Sequence, residues 1–187
     1  MLSKKILFPL FAVMVIAQWY IPGHMIWEKE EILLSGKAYK FKIRPFDPYH
    51  PLKGKYIRLV YEEDSFTVPT VEPWMTGKEI YVVLTTDEEG YAQIKDIQPT
   101  APNTAKNNYF KARSNNYTRE NIIQLHYSFD EFYMNEFKAP KAENLQREIA
   151  QDSTKNVYAV VHIKDGEVVL KDVEVDGIPL RELLNTN

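Results

Sequence analysis

Four histidines, His24, His50, His126 and His162, are the side chains of this chain that titrate nearest neutral pH. None of them sits in an HExxH or other recognised metal-ligand spacing. His50 follows Asp47 within a proline-rich stretch, and the two could form an acid–base couple. Asp47-Pro48 reads equally well as a turn in which the aspartate bonds its own backbone. His126 and His162 alternate with apolar neighbours, and a metal shared between them would need a third ligand such as Asp130 or Glu136. There is no cysteine, which excludes a disulfide framework, a thiolate metal site, a cysteine nucleophile and a lipid-modified N-terminal cysteine. GxSxG, SxxK and a phosphate-cradling glycine loop are missing as well. These residues assign no catalytic group, no metal and no cofactor.

Binding groups are a different case. Pro45, Pro48 and Pro51 stiffen the segment 44–61, so it can hold charged side chains in place at small ordering cost. Arg44, Asp47, Tyr56 and Arg58 are its polar handles, and they form the candidate binding site. In a blander reading, Arg44 and Asp47 pair only with each other and staple the loop, which is worth little on a surface. Tyr49, Tyr56, Trp74, Tyr91, Tyr109 and Tyr117 would make a sugar- or peptide-binding face if several were exposed together. Otherwise they divide between core and edge.

The elements that must position these groups are mostly strands. In Lys37–Arg44, Tyr39, Phe41 and Ile43 alternate with Lys40, Lys42 and Arg44, the pattern of a half-buried strand. The prolines of 45–51 then forbid a central strand or helix interior, and a second strand begins at Tyr56. Residues 64–78 read as a loop carrying Trp74. Glu79–Thr86 and Tyr91–Ile97 flank Asp87-Glu88-Glu89-Gly90 as a hairpin. Asn107–Arg113 and Ile122–Tyr127 read as short strands separated by a polar turn at Ser114-Asn115-Asn116. Pro140–Gln151 is the one amphipathic helix of this part, with Ala142, Leu145 and Ile149 on its apolar face. Val157–Ile163 and Glu167–Val175 form a closing hairpin across Asp165-Gly166, and Asp176-Gly177 makes a further turn. The expected fold is α+β and β-dominated: antiparallel strands and hairpins with one amphipathic helix, as one domain over residues 28–187.

Before that domain lies a segment of another kind. Lys4-Lys5 precede Ile6 to Trp27, which carry no formal charge, and Glu28 is the first acid. About 20 apolar residues at roughly 1.5 Å each cross a hydrocarbon layer. A transmembrane helix is therefore expected near residues 5–26, with Pro22-Gly23 at its outer end and Trp19, Tyr20 and Trp27 as interfacial aromatics. The two lysines place the N-terminus on the cytoplasmic side. Residues 1–27 are then a membrane anchor, or a signal peptide cleaved after Ala17; either one exports the rest. The domain would be extracytoplasmic, and periplasmic where two membranes are present.

Apolar residues make up 44% of the chain and charged residues 26%, a globular balance. The formal charge is −3, and without Lys4 and Lys5 it is −5. With no basic stripe to follow a phosphate backbone, nucleic acid is not an expected partner.

Residues 44–61, RPFDPYHPLKGKYIRLVY, resemble the signature of the GDYXXLXY family of exported proteins. Gly54, Tyr56, Leu59 and Tyr61 match the motif, and Lys55 stands where the family has aspartate. Asp130, Phe132-Tyr133 and Glu136 in YSFDEFYMNE are similar to a second family segment. The resemblance implies a membrane-associated exported domain without an activity to carry over, and a multi-span membrane protein as partner. The residues themselves give a structural account of the motif. Gly54 permits a tight entry from loop to strand. Tyr56, Arg58 and Val60 lie on one face, while Ile57, Leu59 and Tyr61 lie on the other and belong to the core. Leu52-Lys53-Gly54-Lys55 and the strand after it are also similar to the segment following the nucleophile of membrane-anchored signal peptidases. No serine occurs between Ser35 and Ser65, so that nucleophile is missing. The expected function is a membrane-anchored extracytoplasmic interaction or accessory module. The alternatives are a sugar- or peptide-binding domain and an atypical membrane-anchored hydrolase.

Overall fold

The computed structural model describes residues 4–44, 56–70, 74, 77–103, 108–117, 121–135, 138, 141–142, 144–145 and 155–185. Helix α1, Lys4–Ser35, is longer than the apolar segment alone. It runs on past the end expected near residue 26, because Pro22 removes only one backbone bond and good helix formers (Glu, Lys, Leu) follow. Gly36 stops it. The Gly36 amide donates to the Ile32 carbonyl at 2.8 Å, and a Cβ at this position would lie 2.4 Å from that oxygen and 3.0 Å from the Ile163 carbonyl. Only glycine lets the chain turn this closely from helix into strand.

Eleven strands follow among the described residues: β1 (Lys37–Lys42), β2 (Tyr56–Arg58), β3 (Ser65–Thr67), β4 (Glu79–Thr86), β5 (Ala92–Gln98), β6 (Tyr109–Tyr117), β7 (Ile122–His126), β8 (Glu131–Tyr133), β9 (Val157–Lys164), β10 (Glu167–Val175) and β11 (Ile178–Pro179). They form a four-stranded sheet in the order β1-β9-β10-β11, a five-stranded sheet in the order β3-β7-β6-β4-β5, and a two-stranded ribbon of β2 and β8. All pairings within these sheets are antiparallel. The β-dominated α+β class read from the sequence is thus the observed one.

The alternation in β1 sends Tyr39, Phe41 and Ile43 into the core. Both Asp-Gly turns have positive φ at both central residues, at Asp165-Gly166 and at Asp176-Gly177. That is the backbone a two-residue type I′ hairpin requires. At the β4–β5 turn only Gly90 is left-handed, and the Asp87 carboxylate closes the loop by accepting from the Tyr91 amide at 2.8 Å.

Three readings need correction or addition. Ser114-Asn115-Asn116 is not a turn: β6 continues through it to Tyr117, with a register shift against β7 that absorbs the irregularity. The β4 ladder ends at Arg113, but Ser114 still exchanges backbone bonds with Gly77 and Lys78, and β7 takes up the pairing again at Tyr117, so Asn115 and Asn116 form an irregularity within the strand. The stretch read as a loop over 64–78 holds β3, a three-residue edge strand on β7. Of the helix expected over 140–151, Lys141, Ala142, Asn144 and Leu145 are helical, Ala142 is buried and Leu145 packs on the core; the remainder lies outside the described residues.

One apolar cluster takes residues from all three sheets. Its centre is aromatic. The Phe41 ring lies 5.3–6.2 Å from the rings of Phe129, Tyr61, Phe110 and Tyr127, edge-on in each case. Edge-to-face pairs of this kind add stabilisation beyond the area they bury.

Candidate functional site

The two segments that carried the family resemblance are distant in sequence and adjacent in space. Strand β2 pairs with β8 in the register Tyr56↔Tyr133, Ile57↔Phe132 and Arg58↔Glu131. The Leu59 amide extends the ladder by donating to the Asp130 carbonyl at 2.6 Å. Because side chains alternate along each strand, the ribbon has two unlike faces.

The inner face is core. Ile57, Leu59 and Tyr61 are 4%, 3% and 3% exposed, as the alternation predicted, and Phe132 is buried beside them. The Tyr61 hydroxyl donates to the Phe129 carbonyl at 2.7 Å, and the Tyr127 hydroxyl donates to the Glu63 carbonyl. Burial is the main cause that pushes both phenols far above the usual tyrosine range, so they act only as neutral hydrogen-bond donors. The two hydroxyls thereby satisfy backbone carbonyls of two segments that are distant in sequence.

The outer face is open. Tyr133 is 63% exposed, Val60 46%, and the Arg58 side chain 71%. The Tyr56 and Tyr133 rings lean together at 5.6 Å, directly across the ladder. Tyr133 donates its hydroxyl to Glu131, which holds the ring in place and raises the phenol pKa. Asp130 lies at one end of this face, with Arg58 Nε at 3.6 Å and His126 Nδ1 at 3.8 Å from its Oδ2. At these lengths the three are an electrostatic cluster, and only modest energy attaches to it because Arg58 and His126 are solvated. The face therefore offers two tyrosine rings, an aliphatic side chain, a guanidinium and carboxylates in one short strip.

Arg44 lies apart from this strip in its bonding. Its Nη2 donates to Asp64 Oδ1 at 2.8 Å and to the Glu62 carbonyl at 3.3 Å. Its backbone amide donates to the Val60 carbonyl at 2.8 Å, so β1 is stitched to the end of the motif strand. Asp47, His50, Tyr49 and the motif glycine Gly54 lie outside the described residues. The other aromatics considered as a ligand face are dispersed. Trp74 packs on the core, Tyr91 lies against Tyr158, and Tyr109 lies against Tyr81. Nor do His126 and His162 meet: His162 sits on β9, near enough to the Leu33 carbonyl at the end of α1 for that carbonyl to favour its protonated form. Among the described residues no group of three or more His, Asp or Glu side chains is placed to hold a metal ion.

The sequence reading placed Tyr56, Arg58 and Val60 on one face but did not add Tyr133 or Glu131 to it. The available signal was the second family segment, whose aromatic pair has one ring buried (Phe132) and one exposed (Tyr133).

Residues 18–173 match the family described as GDYXXLXY protein, and the chain belongs to that family. No curated protein and no solved structure matches it. The family match brings no activity with it. It spans both strands of the ribbon and the second half of α1, the one helix among the described residues long and apolar enough to cross a membrane.

Proposed function

We propose that this protein is a membrane-anchored, extracytoplasmic interaction module that docks on a multi-span membrane protein through the outer face of the β2–β8 ribbon. Residues 1–27 act as the anchor, and residues 28–187 are the exported domain. Tyr56, Arg58, Val60 and Tyr133 are the contact groups, with Arg44 and Asp47 as further polar handles. One observation carries this reading. The two segments that carry the family resemblance pair with each other, and they present an exposed tyrosine, a half-buried tyrosine, a valine and an arginine on the side the core does not use. Tyr and Arg are the residue types enriched at the centres of protein interfaces.

The anchor reading is supported by composition. Phe8 to Trp27 leave large apolar side chains exposed all along α1, a surface that water disfavours and lipid accepts. Confinement to a membrane raises the effective concentration of a partner in the same bilayer, so a small contact strip can be occupied.

The test is crosslinking in the membrane from a photoreactive residue at position 58, with the same residue at Gln93, exposed on β5, as control. The proposal expects a defined adduct with a membrane protein from position 58, lost on Tyr133→Ala, and none from position 93. A reporter that works only after export, fused after Asn187, should be active. Mass spectrometry of the mature N-terminus separates a retained anchor from cleavage after Ala17. Turnover of a model ester or peptide by the protein, with no adduct from position 58, would replace this reading with the hydrolase.

A further inference from the structure

The end of α1 is built into the β-domain rather than linked to it. Ile32 is buried, and a side chain at Gly36 would collide with the Ile32 and Ile163 carbonyls. Two ion pairs fasten the turns before that. Glu31 meets Lys164, and Lys29 Nζ lies 3.8 Å from Glu167. Lys164 and Glu167 are the residues on either side of the β9–β10 turn. The turn is itself braced by β6. The Lys111 amide donates to the Gly166 carbonyl at 3.1 Å, Lys111 Nζ lies 2.9 Å from Glu167, and the Tyr109 ring fills the space a Cβ on Gly166 would take.

These contacts set a height. An α-helix rises about 1.5 Å per residue, so Lys29 and Glu31 stand only about 3 and 6 Å beyond Trp27, the last aromatic of the uncharged stretch. A headgroup layer is roughly 5–7 Å thick on each side of the hydrocarbon. Residues in direct contact with Lys29 and Glu31 fall within that layer or at its outer edge.

We infer that the tip of the β9–β10 hairpin, together with the start of β6, rests against the headgroups of the membrane that α1 enters. The domain is thereby held at a fixed height and orientation on the bilayer. The inference rests on the proposal that α1 is a retained anchor. The chemistry of the rim suits such a surface. Lys29, Lys111 and Lys164 offset the carboxylates of Glu31 and Glu167 at this rim, so it meets the headgroups as a charge-balanced surface whose lysine stems cover apolar atoms. The β4–β5 turn lies away from the α1 joint. Its Glu89 pairs with Lys42, at the other end of β1 from the α1 joint, roughly 17 Å along a six-residue strand.

The absence of cysteine makes the test direct. Full-length variants Met25→Cys, Glu167→Cys, Lys111→Cys and Glu88→Cys, each carrying one environment-sensitive fluorophore, are reconstituted into phosphatidylcholine–phosphatidylglycerol vesicles with a headgroup-nitroxide lipid as quencher. The inference expects most of the fluorescence to be lost at positions 25, 167 and 111, and little at 88. Quenching at 25 with none at 167 and 111 would overturn the resting hairpin and leave the anchor standing. No quenching at 25 would overturn both. Equal quenching at 88 and 167 would show a domain without fixed orientation, and it too would contradict the inference.

Discussion

The two faces of the β2–β8 ribbon are built from alternate residues of the same strands, yet they answer to different demands. The inner residues Ile57, Leu59, Tyr61 and Phe132 are buried and join the aromatic centre around Phe41. On the outer side, among the described residues, Tyr56 leans on Tyr133, Tyr133 bonds Glu131, and Arg58 lies beside Asp130. A signature can therefore mix two messages. Here Leu59 and Tyr61 report packing, and Tyr56 reports a surface.

The largest effect belongs to the inner side. Phe41→Ala removes the hub of the aromatic cluster and should cost about 3–5 kcal/mol of folding stability, measured by chemical denaturation. A loss below about 1 kcal/mol would mean that the cluster is not the centre of the core. Tyr61→Phe isolates one bond of the same face. It leaves the Phe129 carbonyl without its donor and should cost about 1–3 kcal/mol, with the fold retained.

A smaller effect depends on pH and concerns the joint between α1 and the sheet. Burial is the first cause that holds the His162 pKa below the ordinary imidazole value, and Lys171 adds to it, while the Leu33 carbonyl opposes both. Its Nδ1 is buried and has no hydrogen-bond partner among the described residues, so a second proton there is disfavoured. A folded-state pKa below the unfolded one means that the stability is present above about pH 6.5 and is lost as pH falls through the folded value. His162→Gln should therefore flatten the fall in thermal stability between neutral and mildly acidic pH. An unchanged slope would remove His162 from that account.

How much of this was legible from the sequence varied with the range of the signal. The Asp-Gly hairpins, the alternation in β1 and the apolar N-terminal helix are local patterns, and each was readable from a handful of neighbouring residues. Strands β3 and β8 each have three residues, too few to show a period, and they exist because distant partners supply their hydrogen bonds; β2 was readable because its alternation runs on to Tyr61. For the same reason the sequence pointed to Tyr56 and Arg58 but not to Tyr133, which completes their face from across the ladder. The Arg44–Asp64 bond is equally non-local, joining the end of β1 to the chain just before β3.

The smallest effect on stability is expected from the outer face, and it bears most directly on the central claim. Arg58→Ala and Tyr133→Ala should each shift folding stability by no more than about 0.5 kcal/mol, since both side chains are largely solvated. The deciding measurement sets that stability beside the yield of the position-specific membrane crosslink, with the photoreactive residue placed at Val60 so that both variants can be compared. The account predicts near-normal stability with the adduct lost in both variants. An undiminished adduct, or a loss of adduct that only follows a loss of stability, would contradict it and leave the ribbon as a structural clasp.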